Sequence, residues 1–271
     1  MELSFIKCNP TENMTILVET PVAEALQREI GEQLISYGSL FAEQAGFIQT
    51  PTNPKAAACL RMMGGEFCGN ATLSLAAYIL EQKNLPVGGV EMLSVEVIGT
   101  KELVNCQMTK LEKGFSGLVD MPLPLFVEKR TFSLKNTKYT FPVVGFEGIS
   151  HVVVEKEVWG NNWKEMAESA TKEWTDAMPE AFGVMIWDAK NKTLDPLVCV
   201  QGSSLVWEGG CGSGTSAVGA YLAMDKGESM SIECRQPGGV MGASVEVVDG
   251  CIAKVQMKGN VFVVAKGTVY L

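Results

Sequence analysis

A short motif occurs twice in the chain, and this repeat constrains the fold more than any other feature. Residues 68–78 read Cys-Gly-Asn-Ala-Thr-Leu-Ser-Leu-Ala-Ala-Tyr, and residues 211–221 read Cys-Gly-Ser-Gly-Thr-Ser-Ala-Val-Gly-Ala-Tyr. The two segments agree at five of eleven positions and lie 143 residues apart in a chain of 271. Chance likeness between two alanine-rich helices is the alternative, but the shared Cys-Gly-x-x-Thr weakens it. The repeat therefore predicts two similar halves.

The segments before the two motifs also correspond in predicted secondary structure. Residues 13–19 and 151–155 have the apolar pattern of strands, and an amphipathic helix is predicted after each of them. The proline-rich stretch at 121–124 is a plausible crossover between the halves. A last strand is predicted near residues 261–270, and it returns to the first half. We therefore predict two α+β domains, of which the first covers residues 1–121 plus about 259–271 and the second covers residues 122–258.

Composition excludes several classes of function. The chain carries 22 basic and 31 acidic residues, a net charge of −9, and no strongly basic run, which argues against nucleic acid and anionic membranes as partners. It has no signal-peptide pattern and no apolar run approaching ~18 residues, so we expect a cytoplasmic protein that does not span a membrane. No two of the eight cysteines lie within four residues of each other, so no metal site is expected. A homodimer is left open.

Both repeated cysteines come directly before a predicted helix, over residues 71–82 and 214–225, with Asn70 and Ser213 expected as the N-cap residues. The first N–H groups of a helix are unpaired and stabilise negative charge. They should lower the pKa of a nearby thiol and could hold a substrate carboxylate, which the adjacent glycines let approach closely. The substrate-binding residues predicted on this ground are Gly69, Asn70, Gly212 and Ser213.

Two such thiols suit the inversion of a carbon atom. Inversion needs a base on one face of the carbon and an acid on the other, each with a pKa near the working pH. Cys68 and Cys211 can fill these roles, and the helix N–H groups can stabilise the negative charge that develops. Pyridoxal phosphate would need a Schiff-base lysine, which neither motif contains. The residues predict a cofactor-independent amino-acid racemase or epimerase whose partner is a small amino acid.

At these residues the chain resembles the diaminopimelate epimerase-like superfamily, which includes the proline racemases. Residues 68–70 and 211–214 are similar to its two catalytic turns, and Asn13 is similar to its N-terminal substrate-binding asparagine. The resemblance implies an α+β fold of two pseudo-symmetric domains, each a curled, mostly antiparallel sheet around a central helix. It also implies an active site in the interdomain cleft.

Four further segments, at 13–18, 43–48, 66–72 and 236–239, resemble histidine racemases of metallophore biosynthesis. This resemblance implies that the substrate is histidine and that Glu43 holds its imidazole. The Glu-Arg-Gly turn of diaminopimelate epimerases is replaced by Trp-Glu-Gly-Gly at residues 207–210, which disfavours diaminopimelate.

Several alternatives remain open at this point. The chain could be an epimerase of diaminopimelate or of another amino acid, or an amino-acid-binding protein without catalysis. His151, the only histidine, is expected to be structural or to contact substrate, since a Cys-His hydrolase would leave the second motif unused. Glu66 and Glu208 either lie near the thiols or are solvated. The cysteines assigned to packing are Cys8, Cys59, Cys106, Cys199, Cys234 and Cys251.

Overall fold

A computed structural model describes residues 1–271, and the chain divides into two compact units. Unit 1 contains Met1–Asp120 and Lys258–Leu271, and unit 2 contains Met121–Met257. The unit boundary at Met121 adjoins the short stretch that holds Pro122 and Pro124. None of the helices is both long enough and apolar enough to cross a membrane.

Unit 1 contains seven strands and two helices before the boundary. They are β1 (Glu2–Pro10), β2 (Thr15–Val18), α1 (Glu24–Ile35), β3 (Gln44–Gln49), β4 (Cys59–Met62), α2 (Gly69–Glu81), β5 (Val90–Val97), β6 (Val104–Lys110) and β7 (Phe115–Met121).

Unit 2 contains nine strands, of which the last continues into unit 1, and three helices with two 3-10 turns. They are β8 (Phe126–Leu134), β9 (Thr137–Phe146), β10 (Ile149–Glu155), α3 (Lys156–Trp159), the turn Gly160–Asn162, α4 (Trp163–Glu173), the turn Thr175–Ala177, β11 (Ala181–Asp188), β12 (Thr193–Val200), β13 (Ser204–Trp207), α5 (Gly212–Lys226), β14 (Met230–Gln236), β15 (Gly239–Val248) and β16 (Cys251–Tyr270).

The sheet of unit 1 closes around helix α2. Its strand order is β1-β2-β3-β4-β5-β6-β7-β16, and β1 also pairs with β16. The pairs β2–β3 and β4–β5 are parallel, whereas β1–β2, β3–β4, β5–β6 and β6–β7 are antiparallel. Helix α2 contacts β1, β2, β4, β5 and β6. Most of its residues are apolar or small and buried, so it occupies the centre of the unit.

The sheet of unit 2 repeats this arrangement around helix α5. Its strand order is β16-β15-β14-β12-β11-β10-β9-β8, with β13 added beside β12. The pairs β10–β11 and β12–β14 are parallel, in the places that β2–β3 and β4–β5 hold in unit 1. Helix α5 contacts strands β8 to β11, β14 and β15, whereas α4 packs against β8, β11 and β12 beside the Trp174 ring. The predicted fold of two similar α+β halves, each built around a central helix, is confirmed.

Two details of the prediction were wrong at the C-terminal end. The last strand begins at Cys251 rather than near Val261, because the turn at Asp249 and Gly250, both with positive φ, starts a hairpin there. Cys251 is also exposed, so its assignment to packing was wrong, whereas the other five cysteines of that group are buried. Cys251 is the first residue of β16, directly after the turn at Asp249 and Gly250, and its side chain lies in solvent there.

Candidate active site

Each repeated cysteine is the N-cap residue of the central helix of its unit. Cys68 has extended backbone angles, φ −136° and ψ 114°, and its Sγ accepts a hydrogen bond from the Ala71 N–H at 3.4 Å. Cys211 has φ −110° and ψ 106°, and its Sγ accepts from the Gly214 N–H at 3.3 Å. Sulfur thus takes the place of the oxygen that usually caps a helix. The cap fixes the position of each sulfur at the positive end of a helix dipole.

The prediction that Asn70 and Ser213 would be the N-caps was wrong. Because both cysteines are extended and the helices begin at the following glycines, Asn70 and Ser213 are the second residues of α2 and α5. Asn70 is buried, and the Ser213 Oγ lies 3.6 Å from the Cys211 Sγ. The glycines Gly69 and Gly212 are the first residues of the two helices, where backbone N–H groups point out of the helix start.

The threonine that the two motifs share has a structural role. The Thr72 Oγ1 donates to the Cys68 carbonyl at 2.8 Å, and the Thr215 Oγ1 donates to the Cys211 carbonyl at 2.6 Å. Both threonine side chains are fully buried. The bonds tie the first turn of each helix to the cysteine, so Cys-Gly-x-x-Thr is the pattern that holds a thiol at a buried helix start.

In unit 1 a line of polar side chains connects the thiol to a carboxylate. The Cys68 thiol donates to the Gln44 Oε1 at 3.0 Å, and the Gln44 Nε2 donates to the Asn13 Oδ1 at 2.6 Å and to the Thr15 Oγ1 at 2.8 Å. The Asn13 Nδ2 then donates to the Glu43 Oε2 at 2.8 Å. Asn13 is buried and Glu43 is exposed, so the line runs from the helix start to the surface of the unit.

In unit 2 two polar side chains from other strands hold the cysteine turn. The Cys211 N–H donates to the Gln236 Oε1 at 2.8 Å, and the Gln236 Nε2 donates to the Thr215 Oγ1 at 2.6 Å. The His151 Nε2 lies 2.9 Å from the Ser213 Oγ, in hydrogen-bond contact. Gln236 is the last residue of β14, directly before the turn that leads into β15, and His151 lies in β10.

The His151 ring is fully buried and neutral. Burial lowers its pKa to about 3, since no nearby charge compensates the loss of water. His151 pairs with Gly183 across the parallel β10–β11 register, and a Cβ at Gly183 would lie 2.5 Å from the His151 Nδ1. The glycine therefore makes room for the imidazole, which fits the predicted structural or substrate-contacting role of His151.

The Cys211 thiol also contacts the carboxyl group of Glu208. Burial raises the pKa of Glu208 to about 7, while its hydrogen bond with Cys211 opposes this shift. Burial raises the pKa of Cys211 well above its ordinary value, and the charge and hydrogen bond of Glu208 raise it further. The bonds from Ser213 and the Gly214 N–H act in the opposite direction. The expectation that a helix start lowers the thiol pKa was therefore wrong for Cys211, because desolvation and a nearby carboxylate outweigh the helix.

The structure brings the predicted residues together in two groups, one in each unit. Asn13 and Glu43 share the hydrogen-bonded line of Cys68, and Ser213 adjoins Cys211, as does Glu208, whereas Glu66 is exposed. Sequence reasoning missed Gln44 and Gln236, although both lie inside segments that carried the resemblance. No group of three or more His, Cys, Asp or Glu side chains is arranged to hold a metal ion.

Comparison with proteins of known structure shows the fold. A hydroxyproline epimerase from Agrobacterium vitis superposes with a TM-score of 0.75 at 12% sequence identity, covering 100% of this chain and 93% of that one. A PhzF family phenazine biosynthesis protein from Enterococcus faecalis superposes with a TM-score of 0.64 at 16% identity, covering 100% of both chains.

Comparison of sequences gives the family. The family model described as "Histidine racemase CntK N-terminal domain" matches residues 2–270. A histidine racemase of Fusobacterium nucleatum is 31% identical over 282 aligned residues, covering 99% of this chain and 97% of that protein. A histidine racemase of Staphylococcus aureus is 28% identical over 274 aligned residues, covering 99% and 98%. The chain therefore belongs to the histidine racemase family.

Proposed function

We propose that the chain interconverts L- and D-histidine, with Cys68 and Cys211 as the two acid/base groups. The main observation behind this proposal is that the same arrangement occurs in both units. In each unit a cysteine Sγ caps the central helix and accepts a hydrogen bond from the N–H of the third helical residue. A binding protein would have no need for two thiols in this setting. Family membership adds the substrate.

The reaction requires both thiols to reach the same substrate carbon from opposite faces. One thiolate removes the α-proton, and the other thiol delivers a proton to the opposite face. The electron pair left on the α-carbon spreads into the carboxylate. Backbone N–H groups at the helix starts, from Gly69 and Asn70 in α2 and from Gly212 and Ser213 in α5, stabilise this charge in the transition state. All of these groups belong to the polypeptide, so the proposed reaction uses no cofactor.

In this proposal, the groups that surround Cys211 determine whether its sulfur carries a proton when the reaction begins. With its pKa raised by burial and by Glu208, Cys211 enters the cycle as a thiol and acts first as the acid. When the reaction runs in the other direction, Cys211 must lose its proton before it can act as a base. Glu208, with a pKa of about 7, is placed to accept that proton.

Histidine is the substrate that the unit 1 carboxylate favours. Glu43 is held by the Asn13 Nδ2, which itself connects through Gln44 to the Cys68 thiol. A carboxylate pairs well with an imidazole N–H. We assign Glu43 to the imidazole and Asn13 to its positioning. Free thiols persist in the reducing cytoplasm, and this is the compartment that the proposal suits.

The experiment that tests the function is incubation of the reduced protein in D2O without added cofactor. L-Histidine, LL-diaminopimelate and L-proline are supplied separately, NMR follows the α-proton and chiral chromatography follows the product. We expect exchange and inversion with histidine alone. Exchange with diaminopimelate alone would support the mechanism but contradict the assignment of histidine as the substrate. No exchange with any of the three compounds would favour a binding protein.

A Glu43→Gln variant adds a substrate-specific arm to this experiment. If Glu43 holds the imidazole, the KM for histidine should rise about tenfold with a smaller change in kcat, since one charge-assisted hydrogen bond is weakened. Glu12→Gln is the matched control, because Glu12 is an exposed carboxylate that precedes Asn13. Equal KM values in the two variants would contradict the assignment of Glu43.

A further inference from the structure

The segment that joins β4 to α2 carries Cys68 and has few hydrogen bonds of its own. The Gly65 N–H donates to the Met62 carbonyl at 2.9 Å, in the last backbone hydrogen bond before the cysteine. Neither Glu66 nor Phe67, the two residues that precede Cys68, makes a backbone hydrogen bond. Packing against a neighbouring element must therefore hold this backbone in place.

The turn between β5 and β6, residues 98–103, provides this packing. Gly99 in the turn has a φ of +94°. A Cβ at this position would lie 2.7 Å from the Phe67 nitrogen, 3.1 Å from the Glu66 carbonyl carbon and 3.3 Å from the Gly65 oxygen. All three are backbone atoms, which cannot rotate away as a side chain can. Only glycine lets the turn lie directly against this segment.

Hydrogen bonds on both sides of Gly99 fix the turn. The Ile98 N–H donates to the Leu60 carbonyl of β4 at 2.9 Å. The Thr100 N–H donates to the Val97 carbonyl at 3.1 Å, and the Thr100 Oγ1 donates to the same carbonyl at 2.9 Å. Because both neighbours of Gly99 are anchored, the turn is a firm support for the backbone that it touches.

Unit 2 supports its own cysteine turn with the corresponding element. Strands β14 and β15 hold the places in unit 2 that β5 and β6 hold in unit 1. In the turn between them the Gly238 N–H donates to the carbonyl of Gly209, two residues before Cys211, at 2.8 Å. The Gln236 Oε1 accepts from the Cys211 N–H at 2.8 Å. The turn after the fifth strand thus reaches the backbone before the cysteine in both units, by hydrogen bonds in unit 2 and by close packing in unit 1.

We propose that Gly99 is a positioning residue for the Cys68 thiol. The turn holds the backbone before Cys68 and so keeps the sulfur 3.4 Å from the Ala71 N–H and 3.0 Å from the Gln44 Oε1. A side chain at residue 99 pushes this backbone away and separates the sulfur from both partners. This role rests on the proposed function, in which Cys68 exchanges a proton with the substrate.

A pair of alanine variants tests this role by the rate of histidine inversion. Gly88→Ala is the matched control, because Gly88 also has a positive φ, +84°, but a Cβ there would have no neighbour within 4 Å. Both variants strain the backbone, and only Gly99→Ala adds a contact with the segment before Cys68. We expect Gly99→Ala to lower kcat about 10²-fold, since a catalytic group displaced by about 1 Å loses this much, and Gly88→Ala to leave kcat unchanged. Equal kcat values in the two folded variants would overturn the proposal.

Calorimetric titration separates a displaced thiol from a damaged fold. An equimolar mixture of L- and D-histidine undergoes no net reaction, so its binding can be measured in active protein. Gly99→Ala should bind the mixture with the stoichiometry of the wild type and with an affinity that changes far less than kcat. A stoichiometry that falls in proportion to kcat would mean that Gly99 serves stability alone, and this would overturn the positioning role.

Alkylation by iodoacetamide reports on the thiol without using activity. A helix N–H stabilises a thiolate, so a Cys68 sulfur that has moved away from Ala71 should react about fivefold more slowly in Gly99→Ala. Peptide-resolved mass spectrometry measures the rate, and the exposed Cys251 is the internal control. If the wild type inverts no histidine, the proposed function fails and this rate alone decides the role of Gly99. An unchanged rate at Cys68 in folded Gly99→Ala would overturn that role.

Thr100→Val tests the support without adding bulk and decides the question if thermal melting shows that Gly99→Ala does not fold. Valine keeps the shape of the side chain but removes the hydroxyl bonds to the carbonyls of Val97 and Glu102. The loosened turn should lower kcat about threefold and slow alkylation of Cys68 by a similar factor, as expected for the loss of such a bond. Wild-type values of both rates in folded Thr100→Val would overturn the proposal.

Discussion

The two cysteine turns have the same backbone and different neighbours. Each sulfur caps a central helix at 3.3–3.4 Å from the third helical N–H. The Cys68 thiol donates to the neutral amide of Gln44, whereas Cys211 contacts the carboxyl group of Glu208. A helix start therefore fixes where a thiol lies, but the side chains that surround it decide how tightly the thiol holds its proton.

The strand pairs that run beside the two turns also differ. In unit 1, Thr15 pairs with Gln44 across the parallel strands β2 and β3, and the Gln44 side chain reaches the thiol. In unit 2 the matching pair of strands places His151 beside Gly183, and the imidazole occupies the space left by the glycine and reaches Ser213. The two units therefore share the cysteine turn at the helix start but have different side chains beside it.

The largest effect is expected from removal of either sulfur. Cys68→Ala and Cys211→Ala should each lower the rate of histidine inversion by about 10²–10⁴-fold, the usual contribution of a general acid or base. Initial rates from both enantiomers, followed by chiral chromatography, measure the loss. If one variant inverts histidine at nearly the wild-type rate, the two turns differ in function as well as in neighbours, and the two-thiol mechanism fails.

Two titratable groups of unit 2, His151 and Glu208, should give opposite responses to acid. His151 stays neutral in the folded chain down to a pKa of about 3, so acidification below its ordinary value of 6.5 favours unfolding. Glu208 has a folded pKa of about 7 against an ordinary value of 4.5, so it binds a proton in the folded chain and acidification between these values favours folding. In the wild type the two contributions oppose each other between pH 6.5 and 4.5.

Replacing one group at a time separates them. Relative to wild type, the free energy of unfolding of Glu208→Gln should fall as the pH drops from 7 to 4.5, by at most about 1.4 kcal/mol per pH unit. That of His151→Asn should rise relative to wild type as the pH drops below 6.5. Urea unfolding followed by tryptophan fluorescence measures both. Curves parallel to the wild type would show that these groups titrate normally.

The features that could be predicted from the sequence are those that depend on residues close together in the chain. The Cys-Gly-x-x-Thr turns, the helices after them and the order of elements in two α+β halves are all carried by contiguous residues, and so could be predicted from local pattern. The N-cap was misassigned for a local reason as well, since cysteine is a rare cap and Asn70 and Ser213 offered more common ones.

Contacts between distant strands could not be predicted in this way. His151 and Ser213 are 62 residues apart in sequence, and Gln44 lies 24 residues from Cys68, so each contact depends on strand register. The raised pKa of Cys211 depends on burial, which a motif does not reveal, and on which way the Glu208 side chain turns. The sequence left Glu208 open between a contact with the thiol and a solvated position, and only the packing of unit 2 decides it.

The smallest effect is expected when the side chain beside each thiol is replaced by the kind found at the other turn, a carboxylate by an amide and an amide by a carboxylate. The change in alkylation rate is nevertheless the most direct test of the comparison. Glu208→Gln should speed alkylation of Cys211 by iodoacetamide about tenfold below the thiol pKa, because only the thiolate reacts and a repelling charge has been removed. The reciprocal Gln44→Glu should slow alkylation of Cys68 by a similar factor. Peptide-resolved mass spectrometry measures each cysteine separately, and the buried Cys106 is an internal control for unfolding. Opposite changes at the two turns would mean that neighbouring side chains set thiol reactivity on a common backbone. Unchanged rates at both turns would instead place control in the helix start, which the two units share.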